Sequence, residues 1–178
     1  MSLTYDENNI YPNNLERILF HRTDTIVKSL AKQANSICRN LISEEYIRST
    51  FNKFNYGFCY KNSDNIIGFC LWKEIHEDVQ HNKYKYIKLL LICAKPNDFR
   101  LGEIILFDLN NFCIQRRINT IRLLAANLDL VKYYENNGYF LTRQNEPYFM
   151  EKDTVPLKIR NSNVIKTRKA KRVYGTIR

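Results

Sequence analysis

The segment Tyr86–Leu106, YIKLLLICAKPNDFRLGEIIL, leaves this chain the least freedom in how it folds. Its first half, Tyr86 to Ala94, is mostly apolar and strand-favouring without clean alternation, the pattern of a strand buried on both faces. From Ile104 the pattern turns helical, with Ile105, Leu109, Phe112 and Cys113 at steps of four, three and one. The polar turn KPNDFRLG between them holds one Pro, one Gly and one Arg. A buried strand, a compact turn and an immediate helix aim free N–H groups and a helix N-terminus at one point. That makes an anion site suited to phosphate.

The rest of the chain is read around this unit. Residues 1–14 form a polar, Asn-rich N-terminal arm, and Ile18 and Phe20 begin a first strand. With Thr23 or Asp24 as cap, Val27, Leu30, Ala31, Ala34, Ile37, Cys38 and Leu41 make one apolar helical stripe. Ser43, followed by Glu44 and Glu45, starts a second helix with Ile47 and Phe51 facing inward. Tyr56–Tyr60 and Ile66–Trp72 flank the turn-rich NSDN as a hairpin, and a charged loop from Lys73 to Lys83 leads into the long strand. A helix over 103–116, a strand over 120–125 and a short helix over 128–136 follow. Gly138 takes the left-handed position after that last helix. Tyr139–Thr142 and Pro147–Glu151 close as antiparallel strands. The order β-α-α-β-β-β-α-β-α-β-β gives an α/β fold with a mixed sheet and helices on both faces.

Charge separates the end of the chain from the rest. Of the net charge of +10, residues 153–178 carry eight Lys or Arg against Asp153, which is +7 and leaves +3 for the other 152 residues. The cluster KTRKAKR at 166–172 makes a flexible basic C-terminal tail whose electrostatics suit nucleic acid, an acidic partner or nuclear import. No apolar run reaches the roughly 18 residues of a membrane span, and the polar, acidic start is unlike a signal peptide. A cytoplasmic, reducing setting is expected. Cys38, Cys59, Cys70, Cys93 and Cys113 lack CxxC pairing and sit in apolar segments, the pattern of reduced core thiols, and no metal site emerges.

The segment Asn127-Leu-Asp-Leu-Val-Lys-Tyr133-Tyr134-Glu135-Asn-Asn-Gly138-Tyr139 resembles the N-x-x-A-x-x-hydrophobic-Tyr-E-x-x-G-F segment of the GNAT N-acetyltransferase superfamily. Leu130 stands where a small residue is usual and Tyr139 where Phe is usual. The strand-turn-helix at 86–106 and the hairpin ending in IIGFCLW extend the resemblance over residues 15–152. The family's phosphate loop, R/Q-x-x-G-x-G/A, aligns with Asn97 first, Arg100 at the middle glycine and Gly102 last.

The resemblance implies a mostly antiparallel sheet with a central parallel strand pair, 86–95 and 120–125, that splays at one end. It implies acetyl-CoA as co-substrate. The pantetheine arm would lie along the backbones of Ile92, Cys93 and Ala94, and the pyrophosphate on Asn97, Arg100, Leu101, Gly102 and Glu103, with Asn127 bonding the arm. Tyr134 would be the acid that meets the thiolate leaving group. The implied activity is N-acetyl transfer to an amine acceptor that the residues do not name, by direct attack. The rival reading is a catalytically degenerate acetyltransferase fold acting as a binding module through its basic tail. For a general base the sequence offers Glu74, His76, Glu77 and Asp78, which equally suit a solvated loop.

Overall fold

The computed structural model describes residues 14–39, 42–79, 82–96 and 100–154. The polar arm up to residue 13, Asn97 and the basic tail from 155 onward lie outside the described residues. Among the described residues eleven elements follow one another: β1 (Leu15–His21), α1 (Ile26–Ile37), α2 (Glu44–Phe51), β2 (Tyr56–Asn62), β3 (Asn65–Val79), β4 (Asn82–Ala94), α3 (Leu101–Gln115), β5 (Thr120–Ala125), α4 (Leu128–Asn136), β6 (Phe140–Arg143) and β7 (Tyr148–Asp153). The strands form one seven-stranded sheet in the order β1-β2-β3-β4-β5-β7-β6. Only β4 and β5 run parallel, with α3 as their crossover.

The two faces of the sheet are packed by different helix pairs. On one, α1 and α2 bury Leu30, Ala34, Ile37 and Ile47 against Phe20, Phe69, Leu71, Leu91 and Cys93. On the other, α3 and α4 cover Tyr60, Trp72, Ile87, Leu89, Ile121 and Met150. Helix α3 is buried nearly all round, which is why its sequence is apolar on every side. Trp72 is core, its ring 5.0 Å from Phe58 and 5.1 Å from Phe112. Asp108 brings a carboxylate into this core, where it accepts hydrogen bonds from Arg17 Nη1 and Tyr60 Oη, both at 2.7 Å.

Several local expectations need correction. The charged stretch after Trp72 is strand rather than loop, because β3 runs to Val79 and pairs with β4 from Gly68 to that end. Cross-strand partners explain why the charges are tolerated: Asp78 lies opposite Lys83, and the Tyr86 hydroxyl donates to Glu77 at 2.8 Å. Helix α1 is capped at Thr25, while the Asp24 carboxylate instead takes the His21 N–H at 2.8 Å. Helix α3 begins at Leu101, two residues before the expected start, because Leu101 is buried against Gly68. Cys38 and Cys93 are joined by a disulfide rather than reduced, since the end of α1 lies over β4 with the two Cα atoms 5.0 Å apart. Cys59, Cys70 and Cys113 are free and buried, and burial pushes the Cys59 thiol up to about 11.

Candidate functional site

Strand β4 is where the sheet comes apart. It pairs with β5 over three positions only, Tyr86 with Thr120, Ile87 with Ile121 and Lys88 with Arg122. Beyond Lys88, β4 stays with β3 as far as Ala94, and β5 stays with β7 as far as Ala125. A wedge opens between them, and each strand presents it with polar groups that have no strand partner. The divergence has a local cause. In the β3–β4 register Leu71 faces Leu91 but Trp72 faces Leu89, so Leu90 is an extra residue, a bulge that bends and twists β4. The bulge also reverses which residues face which helices. Ile87 and Leu89 pack toward α3 and α4, whereas Leu91 and Cys93 pack toward α1 and α2. The broken alternation of YIKLLLICA records both this reversal and burial on two faces.

The wedge edge of β4 can be assigned group by group. Lys95 N–H donates to Ile67 O at 2.7 Å, so alternation turns the polar groups of Cys93 to β3 as well. Those of Ile92 and Ala94 are left facing the wedge. Leu90 O, on the same side, accepts from the Tyr46 hydroxyl of α2 at 3.0 Å. Of the three backbones expected to meet a ligand, Ile92 and Ala94 are presented and Cys93 is not.

At the open end of the wedge, α3 begins with Arg100 at φ 49°, ψ 51°, a left-handed conformation. Glycine suits that conformation best, so the middle glycine of the resembled loop has a conformational counterpart here even though the residue is arginine. The Arg100 side chain is exposed and lies 3.5 Å from Glu103. Two glycines let the helix start seat closely. A Cβ on Gly68 would meet Leu101 Cδ2 at 2.6 Å, and one on Gly102 would meet the Tyr133 hydroxyl at 2.6 Å. Burial, then the Glu103 carboxylate, raises the Tyr133 phenol to about 12, so it stands protonated against the first turn of α3.

Helix α4 flanks the other side. Asn127 caps it, with Oδ1 accepting from Leu130 N–H at 2.9 Å, and its amide nitrogen remains at the exposed helix start. Tyr134 lies two turns on, 5% exposed, edge-on to both Tyr133 and Tyr139. Burial first, then the phenols of Tyr133 and Tyr46, pushes its hydroxyl well above the ordinary phenol range. Tyr46 belongs to the helix layer on the opposite face of the sheet, and its hydroxyl reaches the edge of the wedge at Leu90 O. Among the described residues the Tyr134 hydroxyl has no hydrogen-bond partner.

Ile92, Ala94, Arg100, Leu101, Gly102, Glu103, Asn127 and Tyr134 thus all belong to elements bordering one wedge. Glu74, His76, Glu77 and Asp78 do not. Their cross-strand partners are Ile87, Lys85, Tyr84 and Lys83, at the paired end of β4. Glu74 and His76 line a shallow cavity with Lys85, Tyr86 and Arg116, and Glu74 lies 3.7 Å from Arg116. Two tyrosines at the wedge escaped the sequence reading. Tyr46, exposed on α2, carried no signal in the sequence, and Tyr133 only its place directly before Tyr134.

No protein-family model and no curated protein sequence matches this chain. Solved structures do. The chain is similar to the catalytic domain of the Tetrahymena GCN5 histone acetyltransferase in complex with coenzyme A, at 14% identity over 83% of this chain and 97% of that one, with a TM-score of 0.60. It is similar to the PaiA N-acetyltransferase from Thermoplasma acidophilum in complex with coenzyme A, at 19% identity, 78% and 98% coverage and a TM-score of 0.55. A third likeness is to the ribosomal-protein-S18-alanine N-acetyltransferase from Escherichia coli, at 16% identity, 79% and 96% coverage and a TM-score of 0.57. At such identities the likeness establishes the architecture, which is the GNAT acetyltransferase fold. Among the described residues no helix is long and apolar enough to cross a membrane.

Proposed function

We propose that this chain transfers an acetyl group from acetyl-CoA to an amine. The observation that carries the reading is the wedge: two parallel strands released after three pairs, with a helix start at its open end and a buried phenol on its wall. The chemistry of these groups fits the ligand. The Ile92 and Ala94 backbones would bond the amides of the pantetheine arm as an added strand does. The N–H groups of Leu101, Gly102 and Glu103, together with Arg100 and Asn97, would hold the pyrophosphate, and the Asn127 amide nitrogen would donate to the arm. When bound, acetyl-CoA supplies a thioester whose carbonyl is open to direct attack.

The chain's own residues then have defined tasks. Leu90 O is held by Tyr46, which fixes the bulge beside the reacting end. Tyr134 keeps its proton throughout the physiological range, because burial has raised its hydroxyl, and so can give a hydrogen bond or a proton to a leaving thiolate at its Oη. None of the described carboxylates or histidines that the sequence offered as a base stands at the wedge, so we assign removal of the amine proton to water.

The test is release of free CoA thiol, dependent on added amine, for wild type and Tyr134→Phe. The phenylalanine variant is expected to bind acetyl-CoA as wild type does and to lose on the order of 10²-fold in kcat. Full activity in the variant would remove Tyr134 from the acid role.

A further inference from the structure

Among the described residues, one face of the sheet beside the wedge is uncovered, and its charges are arranged unusually. Helices α1 and α2 pack on β2, β3 and the upper part of β4, and no other described element covers the same face of β5, β7 and β6. Register places Lys73 opposite Lys88, Lys88 beside Arg122, and Arg122 opposite Glu151, all on this face. Three cations in consecutive strands share one row with a single carboxylate. Like charges directly opposite one another on a sheet are destabilising. The fold offsets only part of this: Arg122 Nε lies 2.8 Å from Glu151 Oε1, and its guanidinium stacks 4.0 Å above the Tyr86 ring. Lys73 and Lys88 are exposed, with no ion pair among the described residues. Glu77, lower on the same face, is engaged by the Tyr86 hydroxyl.

The row lies on the last rung before the wedge opens, since Lys88 and Arg122 are the final β4–β5 pair. Above and beside it the face becomes apolar: Leu124 is 38% exposed, Phe149 opposite it 37%, and Phe140, opposite Glu151, 39%. From β3 to β6 the surface crosses four strand spacings, about 19 Å. That matches about six extended residues and exceeds a small metabolite.

On the strength of the transferase reading, we propose that the acceptor amine is carried by an acidic peptide segment. Its carboxylates would pair with Lys73 and Lys88 while apolar side chains rest on Leu124, Phe149 and Phe140. Charge complementarity selects this occupant: a polyamine or basic peptide would meet three cations, and of the carboxylates on this face Glu151 is held by Arg122, Glu77 by the Tyr86 hydroxyl, and Asp153, opposite Thr120, also has a partner.

The experiment compares acetylation of hexapeptides with free α-amines and acidic, neutral or basic residues at positions 2–5, alongside spermine and free glutamate. Binding of acetyl-CoA to each protein is followed by thermal shift. The acidic hexapeptide is expected to exceed the basic one by about tenfold or more in kcat/KM, and the Lys73→Glu/Lys88→Glu double variant to reverse that order. A preference for spermine or the basic peptide, or an unchanged order in the double variant, would overturn the acidic acceptor while leaving the transferase reading intact. Free glutamate performing as well as the peptide would overturn the extended footprint. Absence of acetyl-CoA binding would defeat both readings together. If acetyl-CoA binds and no amine turns over, anisotropy of a C-terminally labelled acidic hexapeptide decides: binding that weakens with salt supports the surface, and no binding rejects it.

Discussion

Arg100 turns the chain into α3 with a backbone that glycine would adopt at no cost, and does so with a residue that pays for it. Replacing it with glycine is expected to leave stability unchanged or slightly raised. Valine there should cost about 1–2 kcal/mol, because its branched side chain resists the left-handed region. Urea denaturation of the two variants measures the difference, and equal midpoints would contradict the assignment. At this scale the sequence was legible where a residue type fixes geometry by itself. The expected helix over 128–136 carries Tyr134, seven residues after Asn127, and the structure shows Asn127 to be its cap. Arg100 was legible only as a departure from glycine, since a dihedral angle cannot be read from a side chain. Tyr46 was not legible at all, because its bond to Leu90 depends on a bulge formed with another strand.

At the scale of elements, the strand-turn-helix of residues 86–106 organises the sheet as its apolar character suggested, but for a reason beyond burial. The bulge at Leu90 switches the faces of β4, so the strand serves two cores in succession. The strand residues 73–79 and 82–83 were missed because their charges, read in sequence, look like solvent-facing loop, and only the cross-strand register pairs them. The disulfide was missed for the same reason: Cys38 and Cys93 are 55 residues apart, and no spacing rule connects them. A buried carboxylate ties the first two strands to α3. Removing it in Asp108→Ala would strand Tyr60 Oη without an acceptor and release Arg17, which is 43% exposed and therefore the smaller loss. The expected cost is about 2–3 kcal/mol in urea denaturation, and a loss under about 0.5 kcal/mol would show that this tie contributes little.

Taken whole, the molecule is a sheet opened at its centre and lined by phenols held in their neutral form. Burial leads the causes that raise Tyr60, Tyr134 and Tyr139. In the unfolded chain these groups ionise near pH 10, while in the folded one they keep their protons. The folded state therefore binds more protons above that pH, and stability falls as pH rises. The buried thiols Cys59, Cys70 and Cys113, raised by the same cause, act in the same direction from about pH 9. The unfolding free energy from urea denaturation should therefore begin to fall near pH 9 and fall more steeply above pH 10, by about 1.4 kcal/mol per pH unit for each group that ionises only in the unfolded chain. An unfolding free energy that stays level to about pH 11 would contradict their burial.

The central claim is that the wedge between β4 and β5 receives acetyl-CoA. Thermal unfolding of the purified chain with and without acetyl-CoA tests it most directly, because a ligand held by the folded state alone must stabilise it. At a hundred times the dissociation constant the expected gain is about 2.7 kcal/mol, seen as a rise in Tm that saturates with ligand and is matched in part by CoA. A Tm that stays fixed at millimolar acetyl-CoA would contradict it.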